Sequence, residues 1–401
     1  MNELDVCGSQ SLEDRINHRL TNLYARMTEA GVDAALLLHP RDVLYYAGTV
    51  RPAALLVSSC GVVLFVRRGF EYAQREATVA RVEPMNGFAS VGEVTAGLGL
   101  TGGVLATELD LVSARIAQRL AEVFPTWSLT DISPLVLAQR TVKDEGEIAV
   151  TRSAAAVADA GHRVVPQTLT PGMSELALAA EVEAAMRRAG HEGFQPLRHP
   201  GARGAGVLLM SGKNLAVRGG HGLVVTGAGL SPAMPYGPSR RILQPGDLVV
   251  VDIGSTYAGY TADESRTFVV GQATELQRVL FAVTRAAEDA VFEALRPGVA
   301  VADLYAVAEA VVARGAPPHC APGGLTLPGF VGHGVGLELD EPPVLWPREE
   351  MLLQARMTLA IEVEVSAPAQ GIMVKLEDTV VVRPDGYELL TATPRELIEC
   401  G

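Results

Sequence analysis

Carboxylates occupy two of the most apolar stretches of this chain, and this constrains its fold more than any other feature. The first stretch is VVVDIGSTYAGYTADESRTF, residues 249–268. Its β-branched run predicts a strand over 248–254, the glycines from Gly254 to Gly259 predict a turn, and Tyr260 to Phe268 reads as the return strand. If the strands pair, Asp252 and Asp263 can face one another. The second stretch is MTLAIEVEVSAPAQGIMVKLEDTVVV, residues 357–382. It alternates as two strands joined by a turn around Ala367 to Gly371, and carries Glu362 and Glu377. Glu364 follows Glu362 by two residues and so shares its face. Carboxylates in or beside buried strands are costly unless paired or bound to metal. The ordinary alternatives are solvated turn positions for the aspartates. For Glu364 the alternative is an ion pair with Lys375 or Arg266 across the sheet.

A histidine joins them. In FVGHGVGLELDEPP, residues 330–343, His333 sits between glycines, which let the backbone approach a ligand closely. A loop histidine without a role is the alternative. Crowded together, Asp252, Asp263, Glu362 and Glu377 would repel and raise one another's pKa. Divalent cations remove that conflict. Oxygen donors with one imidazole and no thiolate suit Mn²⁺, Zn²⁺, Fe²⁺ or Co²⁺. Five such ligands fit two ions ~3.5–4 Å apart.

Composition narrows the remaining classes. The net charge of −13 disfavours sequence-independent nucleic-acid binding, which needs a basic face. No apolar run approaches the ~18 residues that span a bilayer. The opening MNELDVCGSQSLEDR lacks the basic and apolar regions of a signal peptide. Cys7, Cys60, Cys320 and Cys400 form no CxxC pair and read as reduced thiols. The expectation is a cytoplasmic protein with neither a membrane nor a nucleic-acid partner.

The chain divides near residue 142. Residues 1–142 alternate helix and strand as a small α/β domain: a helix over 12–30, apolar strands in GVDAALLLH, AALLVSS and GVVLFV, and a helix over 113–124. A long helix from about Asp144 opens the second domain, 143–401. That domain holds an echo. PGMSELALAAEVEAAMRRAG from Pro171 and PGVAVADLYAVAEAVVARG from Pro297 share a Pro-Gly start, an amphipathic helix and a glycine stop. They are either two ordinary helices with similar caps or a duplicated α/β unit with a site between the copies.

In order and spacing, DIGSTYAGYTADESRT, GHGVGLELDEPP, LAIE and KLEDTVVV resemble metallopeptidase family M24, that of methionine aminopeptidase, Xaa-Pro aminopeptidase, prolidase and creatinase. The opening half, notably DVLYYAGTVRPAALLV, resembles the creatinase-type N-terminal domain. The resemblance implies an α/β chain: a creatinase-like N-terminal domain followed by a pseudo-twofold, pita-bread catalytic domain. It implies Asp252, Asp263, His333, Glu362 and Glu377 as ligands of two divalent metal ions. It also implies a small peptide or amino-acid-derived substrate, Glu362 as general base, and a homodimer.

The family's non-ligand histidines are absent. Their places fall near Pro235-Tyr236, at Asp340 and at Gly329. Tyr236 could donate a hydrogen bond where the first would sit, Asp340 could bind a cationic group, and His221 or His319 could enter from a loop. The segment from Ser211 to Ser239 is long and glycine-rich, and reads as a substrate-facing flap. Two functions therefore compete. One is an Xaa-Pro dipeptidase or aminopeptidase. The other is a metal-dependent non-peptidase, a lyase or a specialised C–N bond-cleaving enzyme, on the same scaffold. A binding protein on an inactive scaffold is the third reading, but such relatives usually lose the ligands that this chain keeps.

Overall fold

The computed structural model describes residues 11–198, 204, 206–219, 224–315 and 324–401. It forms two compact units, one ending at Arg140 and one beginning at Thr141.

The first unit runs α1 (Leu12–Glu29), β1 (Ala34–Leu37), α2 (Pro40–Ala47), β2 (Ala53–Ser58), β3 (Gly61–Val66), α3 (Phe70–Glu76), β4 (Val82–Pro84), α4 (Phe88–Gly97), β5 (Gly103–Thr107), α5 (Ala114–Val123) and β6 (Trp127–Asp131). Its strands form one mixed sheet in the order β4-β3-β2-β1-β5-β6. The apolar runs read from sequence are its centre: Ala34, Leu36, Ala54, Leu56, Val63 and Phe65 are buried together. Ser11 starts α1 with a reciprocal capping box to Asp14. Helix α6 (Ser133–Thr141) leads out of the unit.

The second unit shows the duplication. It begins with α7 (Glu145–Thr168), capped by Asp144 and Glu147, then α8 (Glu175–Arg188), β7 (Val207–Ser211), β8 (Leu248–Tyr257) and β9 (Tyr260–Val270). A second helix pair follows, α9 (Glu275–Ala294) and α10 (Val301–Gly315), with β10 (Gly332–Gly334), β11 (Glu341–Val344), β12 (Thr358–Ala367) and β13 (Ile372–Arg383). Strands β14 (Gly386–Leu389) and β15 (Ile398–Cys400) close the chain. All nine strands share one sheet, with the path β11-β10-β12-β13-β9-β8-β7. The two sequence echoes are α8 and α10, each the second helix of its pair.

The helix pairs cover one face of this sheet. Residues of α7 and α8 pack with Val249, Val251, Ile253 and Phe268. Residues of α9 and α10 pack with Leu359, Ile361, Leu376 and Val380. Side chains alternate along a strand, so the neighbours of these residues point to the opposite face. Asp252, Glu362 and Glu377 are among those neighbours, and Asp263, an odd number of residues before Phe268 on β9, shares their face.

One expectation is corrected here. Asp252 and Asp263 do not sit opposite one another: Asp252 pairs with Ser265 and Asp263 with Gly254. The cause is the turn. It is two residues long, Ala258-Gly259, both at positive φ, and it joins Tyr257 directly to Tyr260. Such turns match the strand twist and fix register. The aspartates therefore lie on one face but one step apart, as diagonal neighbours.

The long loop after β7 is anchored at both ends by one carboxylate. Glu175, buried at the start of α8, accepts from Ser211 N (2.8 Å), Ser211 Oγ (2.7 Å), Asn214 Nδ2 (2.9 Å), Ser239 N (3.0 Å) and Ser239 Oγ (2.6 Å). Hydrogen bonds to a charged acceptor are the strong ones. Tyr236 lies half-buried on the return of this loop. His221 and His319 lie outside the described residues.

Candidate metal centre

The register of four strands builds the site as two adjacent rows. In the first row Asp252 of β8 faces Ser265 of β9, Ser265 faces Glu377 of β13, and Glu377 faces Glu362 of β12. Two residues along, on the same face, Gly254 faces Asp263, and Thr379 faces Ala360, which in turn faces His333. Thr379 joins the halves of this second row, because its Oγ1 accepts from Asp263 N at 2.9 Å and donates to Asp263 O at 2.8 Å. All five residues anticipated from sequence are thus brought together, and all are buried.

They fall into two groups of three whose donor atoms lie within 4.8 Å of one another: Asp263, His333 and Glu377, and Asp252, Glu362 and Glu377. Glu377 belongs to both. His333 Nε2 stands 3.8 Å from Asp263 Oδ2 and 3.8 Å from Glu377 Oε1. The glycines around His333 are required by space. Gly332 has φ of 143° and a Cβ there would meet Ala360 O at 2.2 Å; one on Gly334 would meet Pro342 O at 2.4 Å.

A divalent ion fits this arrangement. Glu377 Oε1 is buried and has no hydrogen-bond partner among the described residues. Burial pushes the Glu377 carboxyl up to about 8; Lys375 opposes the rise, and Glu362 and Asp252 add to it. Burial, then Glu377 and Asp252, drives Asp263 well above the ordinary aspartate range. Burial disfavours the His333 imidazolium, yet Asp340, Glu362 and Glu377 outweigh it and raise its pKa. Carboxylates strained in this way are stabilised by a cation, and hard oxygens with one imidazole match the metals named above.

Asp340 stands behind the histidine. Its Oδ1 lies 3.4 Å from His333 Nδ1, and its side chain is 65% exposed. The same nitrogen donates to Gly334 O at 3.1 Å, and a carbonyl on the far nitrogen, with the carboxylate beside it, fixes the tautomer that leaves Nε2 free for metal.

Lys375 was the residue least anticipated. It pairs in register with Glu364, but its ammonium turns toward the site: 2.6 Å from Asp252 Oδ2, 3.2 Å from Glu377 Oε2, and in contact with Glu362 Oε1. The expected ion pairs of Glu364 are therefore corrected. Glu364 instead accepts from Val225 N at 2.8 Å and lies 3.7 Å from Arg218. Lys375 leaves it because three carboxylates in the next row attract more strongly than one. Arg266 cannot reach it, because Arg266 projects from the opposite face of the sheet.

On that opposite face a buried ionic cluster backs the ligand strands. Arg266 donates to Glu377 O (2.7 Å), Ser265 O (3.0 Å), Asp378 Oδ1 (2.7 Å), Thr393 O (2.7 Å) and Pro394 O (3.0 Å). Arg395 links Asp378 Oδ2 (3.2 Å) to Glu288 Oε2 of α9 (2.5 Å). Glu288 Oε1 has no hydrogen-bond partner among the described residues, and burial, with Asp378 adding, pushes this carboxyl up to about 8. Between the ordinary glutamate range and that value, the folded protein holds a proton that the unfolded chain has released. This contribution is full at lower pH and is lost as pH rises through that window. Glu288→Gln is accordingly expected to flatten the fall in stability between about pH 5 and about pH 8, read by urea denaturation at several pH values.

The sequence pattern of metallopeptidase family M24 matches residues 149–384, and that of the creatinase/prolidase N-terminal domain matches residues 19–142. The chain belongs to metallopeptidase family M24. As an M24 member it is a metal-dependent hydrolase with a pita-bread catalytic domain behind a creatinase-type domain. It is 27% identical to the Xaa-Pro dipeptidase of Pyrococcus furiosus, over 96% of this chain and 100% of that one. It is 30% identical to the probable dipeptidase PepE of Mycobacterium tuberculosis, over 98% of each chain. Among solved structures, dipeptidase PepE from Mycobacterium ulcerans superposes with a TM-score of 0.76 at 27% identity, covering 97% of this chain and 99% of that one. Prolidase from Pyrococcus horikoshii OT3 gives 0.79 at 24% identity, covering 95% and 100%.

Proposed function

We propose that this M24 chain hydrolyses the amide bond of short peptides, most simply as an Xaa-Pro dipeptidase or aminopeptidase. The observation that carries the reading is the pair of three-donor groups sharing Glu377. In this reading Asp252, Asp263, His333, Glu362 and Glu377 hold two divalent ions, manganese, zinc, iron or cobalt. When bound, such ions polarise a carbonyl and lower the pKa of water. Glu362 takes the proton of the attacking water as general base. Asp340 orients His333. Tyr236 and His221, from the loop pinned on Glu175, are the candidates to meet the substrate carbonyl. The names of the relatives favour a peptide substrate. The division at residues 142/143, a cytoplasmic location and a homodimer belong to the same proposal.

One observation favours a second reading, a metal-dependent lyase or another enzyme cleaving a C–N bond. Gly329, Asp340 and Tyr236 stand near the three places where the resemblance calls for histidines, and Asp340 is engaged with His333. The deciding experiment measures amino-acid release from Xaa-Pro and Xaa-non-Pro dipeptides and tripeptides. It uses metal-stripped protein reloaded with Mn²⁺, Co²⁺ or Zn²⁺, with Asp252→Asn as control. Metal-dependent release that the control lacks supports the peptidase. A protein that binds metal yet releases nothing from any peptide sinks it and moves the search to small amines and lyase substrates.

A further inference from the structure

Glu364 carries a charge that the function proposed above does not use. It lies on β12 two residues after Glu362, on the same face of the sheet, and it is completely buried. Its Oε2 accepts from Val225 N at 2.8 Å. Its Oε1 has no hydrogen-bond partner among the described residues. An amide oxygen would accept from Val225 N as well, so that bond does not account for the charge. A buried carboxylate is costly unless a cation meets it closely. Arg218 faces Oε1, but its guanidinium stands 3.7 Å away and its side chain is 54% exposed. A contact of that length, half in solvent, is weak. It shows all the same that the place beside Oε1 admits a cation.

The spacing says which cation. Side chains two residues apart on a strand stand roughly 7 Å from one another. A substrate whose scissile carbonyl lies at Glu362 therefore meets Glu364 with a group about that far from the carbonyl. The α-ammonium of a peptide is too close to its own carbonyl to span the gap. The ammonium of a lysine side chain, or the guanidinium of an arginine, reaches it.

We propose that Glu364 is a specificity-determining residue, whose Oε1 binds the side-chain cation of a substrate with lysine or arginine before the scissile bond. Arg218, from the segment between Ser211 and Ser239, is the side chain that such a substrate displaces. The favoured substrates are basic dipeptides, Lys-Pro and Arg-Pro being the simplest. This rests on the peptidase reading with Glu362 as general base, and the test separates the two claims.

Full-length protein reloaded with Mn²⁺ is assayed for kcat/KM on dipeptides that begin with lysine, arginine, norleucine, Nε-acetyl-lysine or diaminopropionic acid, each before proline and before alanine. Norleucine matches the lysine chain without its ammonium. Acetylation keeps the nitrogen and removes the charge. Diaminopropionic acid keeps the charge but falls short of Glu364. The wild type is expected to favour the lysine and arginine peptides over the other three by roughly 30-fold or more. Glu364→Gln keeps an acceptor for Val225 N and is expected to bring that ratio down to about 3 or less, with the change in KM. Arg218→Ala removes the competing cation and is expected to raise the ratio. Release from norleucine peptides with no preference for the basic ones overturns this inference alone, whether or not either variant folds. A preference that Glu364→Gln retains also overturns it. No release from any of the dipeptides overturns the peptidase reading itself, and this inference with it.

Discussion

Glu377→Gln is expected to lower kcat/KM by at least ~10³-fold while making the metal-free protein more stable. Glu377 is the residue common to both donor groups, so losing its charge weakens both. The carboxylate is also poorly accommodated. It is fully buried, one oxygen has no hydrogen-bond partner among the described residues, and burial with Glu362 and Asp252 pushes its pKa up to about 8 against the pull of Lys375. A neutral amide of the same shape relieves that repulsion. Chelator-treated Glu377→Gln is therefore expected to melt about 2 °C or more above chelator-treated wild type. With Mn²⁺ present the order reverses, because only the wild type gains stability from the ion. Paired melting curves with and without metal check both halves. A variant that melts lower in chelator would show that the Glu377 charge is already well satisfied by Lys375.

Arg266→Met is expected to cost about 3–5 kcal/mol of folding stability, because it leaves buried carboxylates without their cation. Strands β9 and β13 carry Asp263 and Glu377, yet their pairing is registered at Glu377 and Ser265. Arg266 adds to the side-chain bridges of Thr379, Thr267 and Ser265, bonding the carbonyls of Ser265 and Glu377 and two carbonyls of the segment after β14. Its removal leaves Asp378 and Glu264 buried with reduced compensation. Arg266→Lys is expected to recover less than half of the loss, because a compact ammonium cannot bond in five directions within one plane. Urea denaturation of the three proteins in chelator isolates this effect from metal binding.

The parts of the site that were legible in the sequence are those that depend on parity. Glu362 and Glu377 stand directly opposite one another, as two strands around the Ala367–Gly371 turn require. The offset between Asp252 and Asp263 was not legible, because it depends on Ala258 adopting positive φ, which alanine seldom does. Lys375 gave a usable signal, its spacing of two from Glu377, but register alone assigned it to its cross-strand partner Glu364. Charge, acting along the strand, overrode register. The Arg266 cluster left no local trace. Its partners Thr393, Pro394 and Arg395 lie more than a hundred residues away in sequence and are joined only by the tertiary fold. The second helix of each pair, α8 and α10, was legible as an echo of Pro-Gly starts and glycine stops, since those residues act within a single turn of helix.

The fastening on Glu175 has a consequence for how such a chain can change. The two ends of the loop, at Ser211 and Ser239, meet on a single carboxylate. Between these ends the described residues still touch the ligand strands, with Arg218 and Val225 beside Glu364 of β12. Lengthening an already closed loop adds little entropic cost, ~0.6 kcal/mol for each doubling. Residues can be inserted, lost or exchanged there without disturbing the rows of Asp252 and Asp263, whereas one residue added at Ala258-Gly259 would turn Asp263 to the wrong side of the sheet. The chain thus separates a part that can drift from a part that must keep count. Selectivity for new substrates would arise in the first while the chemistry stayed fixed in the second.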